Sequence, residues 1–187
     1  MKKTIAQLVP HGSRVLDLGC GNGALLAYLQ QHKACTGYGV ELDDSNVHAC
    51  VQRGVNVLQL NLDLGLSVFA DQSFDVVLQI DTLQHLKNAE TMLQETLRVG
   101  KTGVIAFPNF AHWFNRWSVM HGRMPVTPQL PYEWYDTPNI RVGTFADTVI
   151  PPDSLEPNGA ATIGSGSTPH FPQAPGAENQ VKGIGPP

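Results

Sequence analysis

Residues 15–23, V-L-D-L-G-C-G-N-G, constrain this chain more than any other stretch: an apolar run reaches an acid and then meets glycine at every second position. Val15, Leu16 and Leu18 have the near-continuous apolar character of a strand covered on both faces, and a helix-forming segment opens at Ala24, directly after the glycines. The motif therefore sits where strand becomes helix. Gly19, Gly21 and Gly23 can take backbone angles closed to other residues and leave no Cβ between main chain and ligand. The helix that follows aims its free N–H groups at the same spot. The G-x-G-x-G spacing differs from the dinucleotide fingerprint G-x-G-x-x-G, and Asp17 at the strand end would repel a pyrophosphate. An acid beside a glycine turn suits a ligand that carries a positively charged ammonium group. The plain alternative is a tight strand-to-helix turn that binds nothing.

The rest of the chain repeats a strand-then-helix unit. A short helix over 3–9 ends at Pro10, and Leu25, Leu26 and Leu29 mark the apolar face of the helix after the glycine turn. A second strand over 35–40 ends at Glu41, with Leu42 next; this acid stands about 20 residues past the turn, where a carboxylate can accept both hydroxyl protons of a ribose. A solvated strand-end carboxylate is the alternative there. Asp43 or Asp44 caps a helix running to about Arg53, and Gly54 closes it. A third strand over 55–60 leads into Asn61, Leu62 and Asp63; a fourth over 76–80 leads into Asp81, Thr82, Leu83, Gln84 and His85. An amphipathic helix over 88–99 ends at Gly100, and a fifth strand covers 102–107. Strands alternating with helices and joined by right-handed crossovers predict an α/β, Rossmann-like fold, a parallel sheet with helices on both faces and the glycine turn at its carboxyl edge.

Composition narrows the partners. The chain has 187 residues, enough for one domain with a real core, and its net charge of −4 offers no general attraction to nucleic acid or an anionic membrane. No apolar run approaches the about 18 residues of a membrane span, and the first ten residues lack a signal-peptide stretch, so the expected location is the cytoplasm. Cys20, Cys35 and Cys50 are odd in number and lack C-x-x-C pairing, which argues against a disulfide framework and against a metal site. They read as reduced, mostly buried thiols.

D-L-G-C-G-N-G resembles motif I of the class I S-adenosylmethionine-dependent methyltransferases, and S-F-D-V-V-L-Q-I at 73–80 resembles the entry to their motif IV. The resemblance implies S-adenosylmethionine or S-adenosylhomocysteine held by Asp17, Gly19, Cys20, Gly21 and Gly23, with Glu41 and Leu42 at the ribose. It also implies an acidic residue after the third strand facing the adenine amino group, a pattern from which this chain departs by the loss of a charge. Asn61 stands at that place beside Leu62, and its side-chain oxygen can accept such a bond; Asp63 is the substitute. No catalytic constellation is evident; His85 is a conceivable base and equally a loop residue without a role.

From residue 107 onward the sequence is more distinctive: F-P-N-F-A-H-W-F-N-R-W, then G-R-M-P-V-T-P-Q-L-P-Y-E-W-Y-D-T-P-N-I. With T-L-Q at 82–84 and L-R-V-G at 97–100, the chain over about 5–140 resembles the MetW family of methionine biosynthesis proteins. That resemblance implies a protein supporting methionine synthesis together with a homoserine O-acyltransferase. An active methyltransferase on a small-molecule acceptor is the alternative, because methyl transfer from a sulfonium needs in-line positioning and no obligatory base. Trp113, Trp117, Tyr132, Trp134 and Tyr135, interleaved with Arg116 and Arg123 in a proline-braced loop, have the composition of a partner interface or of a lid on the chain's own domain.

The chain past residue 141 departs from both resemblances. A complete class I domain continues with a helix and two more strands, whereas residues 142–187 hold more than half of the 14 prolines and almost no apolar periodicity. A folded domain over 1–141 and a disordered tail over 142–187 are expected, since such a composition buries too little surface to offset the entropy of ordering. The abrupt change suggests truncation or a shifted reading frame, with the sheet's antiparallel edge pair missing.

Overall fold

The computed structural model describes residues 2–128 and 130–144, together with the backbone of 160–165. Strands β1 (Arg14–Leu18), β2 (Thr36–Glu41), β3 (Val57–Gln59), β4 (Phe74–Ile80), β5 (Gly100–Pro108) and β6 (Ala160–Ser165) form one sheet in the order β3-β2-β1-β4-β5-β6. Every pairing is parallel. Helices α1 (Lys2–Leu8), α2 (Ala24–Lys33), α3 (Asp44–Gln52), α4 (Ala89–Val99) and α5 (Trp113–Met120) connect or follow them.

Side-chain alternation along the central strands separates two cores. Val15, Val76 and Leu78 point to the face covered by Leu26 and Leu29 of α2 and by Ile5 and Val9, while Leu16, Leu18 and Val77 point to the face covered by Met92 of α4 with Leu62 and Leu66. That double covering is why β1 and β4 read as continuous apolar runs. Because β1 lies at the centre, its carboxyl end is flanked by the ends of β2 and β4, and the turn after Leu18 opens onto the topological switch point of the sheet.

The elements match the sequence reading, with differences that have local causes. β3 is shorter than expected, and its residues are only half-buried or exposed because it is the outermost strand on its side. α5 lies inside the segment expected to be a loop. His112 caps it by accepting from the Phe114 N–H at 3.4 Å, and no proline falls within its eight residues. β6 falls inside the stretch expected to carry no regular element: it runs parallel to β5 from Gly103 to Pro108, along an edge whose backbone groups would otherwise lack partners. Thr162 and Ile163 give this short run some β propensity. The remainder of the tail expectation, on 145–159 and 166–187, lies outside the described residues.

Candidate functional site

After β1 the main chain bends across the end of β2, where Gly19 N–H and Cys20 N–H both donate to Val40 O, at 2.8 and 3.0 Å. Gly19, Gly21 and Gly23 take φ of 71°, 52° and 72°, so the turn needs residues that tolerate the left-handed region. Two of these glycines do different work. A Cβ on Gly19 would fall on the side chain of Thr82, which is buried and donates through Oγ1 to Leu18 O (2.8 Å) and Ile80 O (3.1 Å), tying the ends of β1 and β4 together. A Cβ on Gly21 would meet nothing within 4 Å. Gly19 is thus required by packing, and Gly21 leaves its backbone open to whatever approaches the turn.

Glu41, at the end of β2, reaches into this turn. Its Oε2 accepts from Gly21 N–H at 2.8 Å, and its Oε1 accepts from Leu42 N–H (2.8 Å) and Asp43 N–H (3.0 Å). The carboxylate braces the glycine turn and the start of α3, whose N-cap is Asp43. Asp17 lies one strand away, 2% exposed, and pairs in register with Gly39 and Leu78. Burial, and secondarily the negative charge of Glu41, pushes its carboxyl up to about 7. From beneath, Cys50 of α3 donates its thiol to Gly21 O at 3.2 Å, and its sulfur lies 3.8 Å from that of Cys20. Burial pushes both thiols up, so they act as packing groups under the turn. Cys20, Cys35 and Cys50 are all free.

The third-strand residues lie beside this group, because Leu60 N–H donates to Glu41 O at 3.1 Å. Their side chains are already engaged. Asn61 Oδ1 accepts from Asp63 N–H (3.0 Å), Asp63 Oδ1 accepts from Lys87 N–H (2.9 Å), and Leu62 is buried in the α4-side core. The structure therefore gathers Asp17, Gly19, Cys20, Gly21, Gly23, Glu41 and Leu42 around one turn and sets 61–63 next to it as a rim. His85 stands exposed in the turn Leu83–His85 after β4. Thr82 and Cys50 are the residues that pattern reading missed; each meets the turn through a contact across the fold, and only the glycine requirement at 19 hinted at a close neighbour. Among the described residues no group of three or more His, Cys, Asp or Glu is placed to hold a metal ion, and no helix is long and apolar enough to cross a membrane.

A sequence profile described as "Methionine biosynthesis protein MetW" matches residues 2–155, most of the chain. The chain belongs to the MetW family. The "Bifunctional methionine biosynthesis protein MetXA/MetW" of Rhodopirellula baltica is 41% identical to this MetW-family chain over 156 residues, covering 78% of it. The match takes in only 25% of that longer protein. The "Fatty-acid O-methyltransferase" of Mycolicibacterium smegmatis is 31% identical over 104 residues, which is 54% of this chain and 38% of that one. Among solved structures, the YcgJ protein of Bacillus subtilis superimposes with a TM-score of 0.55 at 18% identity, over 78% of this chain and 62% of that one. A Thermotoga maritima structure titled "SAM-dependent methyltransferase, possible histamine N-methyltransferase" gives 0.53 at 22% identity, over 69% and 64%. These two likenesses establish the class I methyltransferase-like fold.

Proposed function

We propose that this MetW-family protein binds S-adenosylmethionine or S-adenosylhomocysteine at its glycine turn and supports L-methionine biosynthesis in the cytoplasm by engaging a homoserine O-acyltransferase. In this reading residues 1–141 are the domain that does so. The observation that carries the ligand half is the open cradle at Gly21: a main chain with no Cβ neighbour, backed by the Glu41 carboxylate at 2.8 Å and by the buried Asp17. That set fits the proposed group. Glu41 Oε1 already accepts from two N–H groups, but Oε2 accepts only from Gly21 and keeps a site to offer a ribose hydroxyl; in this reading Asp17 supplies negative charge toward a cationic end, and Asn61 or Asp63 on the rim accepts from the adenine amino group. When bound, S-adenosylmethionine supplies a sulfonium with a transferable methyl group. The chain's own contribution is to orient the ligand and to keep the Asp17 carboxylate out of water.

The partner half is supported by the printed name of the bifunctional relative, which joins MetXA and MetW in one chain, and by the aromatic face of α5 and the segment after it. Trp117 is 57% exposed and Trp134 is 71% exposed, large anchors that cover no core of their own. The methyltransferase reading remains second because relatives with methyltransferase names match about half of the chain. Calorimetric titration with S-adenosylhomocysteine tests the ligand: Glu41→Gln should weaken binding by about ten- to a hundred-fold, as expected for hydrogen bonds to a charged group. Unchanged affinity would remove Glu41 from the site. Co-purification with the acyltransferase tests the partner. Failure to bind it, together with methyl transfer from S-adenosylmethionine to a metabolite, would reverse the order of the two readings.

A further inference from the structure

Asn22, in the glycine turn itself, is the only asparagine among the described residues that precedes a glycine. Its neighbour cannot be exchanged: a Cβ on Gly23 would fall 2.8 Å from Cys50 Sγ, and Gly23 takes φ of 72°. Packing under the turn thus keeps a side-chain amide directly before a main-chain nitrogen that no side chain shields. Asn22 is exposed, so water reaches it. The other Asn-Gly pair of the sequence, at 158–159, lies outside the described residues.

Both carbonyls of this residue accept a hydrogen bond that polarises them. Asn22 Oδ1 accepts from Ala24 N–H at 3.2 Å, a bond that folds the side chain back over the intervening Gly23 peptide. It sets Cγ beside Gly23 N and places a donor on the oxygen that gains charge when Cγ is attacked. The main-chain O of Asn22 accepts from Nη1 of Arg53, at the carboxyl end of α3. A cationic donor there draws charge from the main-chain carbonyl. The opposing bond runs from Gly23 N–H to Cys20 O at 3.1 Å, and it must open before the nitrogen can react.

We infer that Asn22 is a self-modification site at which the glycine turn converts slowly to isoaspartate. Gly23 N attacks Asn22 Cγ; the proton of that nitrogen leaves with the side-chain NH2 as ammonia, and a cyclic imide forms between Asn22 and Gly23. Water then adds to one imide carbonyl and breaks its bond to nitrogen. Addition at Cγ gives aspartate in an unaltered main chain, whereas addition at the main-chain carbonyl gives isoaspartate, with the chain rerouted through Cγ. Arg53 polarises the main-chain carbonyl, and the carboxylate which that carbonyl becomes stays beside the same cation. Isoaspartate is therefore the favoured product. It lengthens the main chain by one carbon directly after Gly21, whose N–H holds Glu41 Oε2 at 2.8 Å. The effect on S-adenosylhomocysteine binding rests on the proposed ligand site; the conversion itself does not.

Incubation of the full chain in warm, mildly alkaline buffer, followed by peptide mapping, decides it. Conversion exchanges NH2 for OH in the mass of the peptide, and isoaspartate resists the endoproteinase that cuts before aspartate. Asn22 should convert before every other described asparagine, including Asn88, which precedes alanine. Arg53→Ala should lower the ratio of isoaspartate to aspartate about three-fold or more, the factor for removing one hydrogen bond from the reacting carbonyl. The isoaspartate fraction of the unaltered protein should bind S-adenosylhomocysteine about ten-fold or more weakly than fresh protein, the equivalent of one lost hydrogen bond to a charged group. Asn22→Gln, whose longer side chain closes a less favoured ring, should hold its own starting affinity through the same incubation. An intact Asn22, another described asparagine converting ahead of it, or an unchanged product ratio in Arg53→Ala would overturn the inference. Equal affinity of aged and fresh protein would overturn its consequence for the turn. Fresh protein that does not bind S-adenosylhomocysteine would count against the proposed ligand site instead, and the mass measurement would still decide the conversion.

Discussion

Asp17 holds a carboxyl group where another apolar residue of β1 would be more stable. Its folded value of about 7 lies above the ordinary 3.8, so the folded chain keeps a proton that the unfolded chain releases. The sign follows. The contribution of this group to stability is complete below pH 3.8 and is lost as pH rises through about 7. The ligand-free protein should therefore melt at lower temperature at about pH 8 than at about pH 6, and Asp17→Asn should flatten that slope and raise stability at the higher pH. Ligand binding should move the other way. A cationic ligand favours the ionised carboxylate, so affinity for S-adenosylmethionine should rise with pH through about 7 and the rise should vanish in Asp17→Asn. Flat titrations in the unaltered protein would mean that Asp17 does not face the ligand's charge. The glycines offer a second contrast. Gly19→Ala and Gly21→Ala share the strain of a positive φ, about 1–2 kcal/mol, but only the first also drives its Cβ into Thr82. Gly19→Ala should chiefly lower the melting temperature, whereas Gly21→Ala should chiefly weaken ligand binding, and calorimetry beside melting curves separates the two.

Between elements, Arg98 near the end of α4 ties the helix to the loop before β4. It donates to Glu95 (2.7 Å), to Asp71 (2.6 Å) and to the carbonyls of Phe69 (3.0 Å) and Leu66 (3.1 Å), while Glu95 Oε2 also accepts from Leu66 N–H at 3.0 Å. Arg98→Ala leaves two carbonyls and a part-buried carboxylate to water and should cost about 2 kcal/mol in a denaturant midpoint. The Arg98 hydrogen bond holds the Glu95 carboxyl below its ordinary 4.5, so this contribution is present above that pH and fades as pH falls through the lowered value. L-R-V-G thus stands out in the sequence for a packing reason. The same scale shows what the sequence could reveal. β1, β4 and β5 were readable because burial on both faces forces continuous apolar runs, and α3 because Asp43 caps it by accepting from Asn46 N–H at 3.0 Å. α5 was not, since its aromatic residues face outward and supply no buried stripe for periodicity to detect. At the site, Glu41 was readable by its spacing from the glycines. The Thr82 brace was not, because it comes from the turn after β4, 64 residues away from the carbonyl it holds.

On the scale of the whole molecule, the carboxyl edge of the sheet carries two separate surfaces. The ends of β1 and β2 carry the glycine turn, and the end of β5 carries α5 with its outward aromatic surface. Trp117, Met120, Trp134 and Tyr135 are all exposed, an accumulation that a chain acting alone would have little reason to keep in water. A lid packed onto its own core would bury such residues. Their exposure is what the proposed interface rests on, and anchors of this kind typically cost about 2 kcal/mol or more when truncated at an interface centre. Trp117→Ala and Trp134→Ala should then weaken homoserine O-acyltransferase binding by about thirty-fold or more, the same energy expressed as affinity. Their melting temperatures should stay close to that of the unaltered protein, because little apolar area leaves the core. Loss of melting temperature in Trp117→Ala and Trp134→Ala without loss of acyltransferase binding would reject the interface and return the segment to the role of a lid.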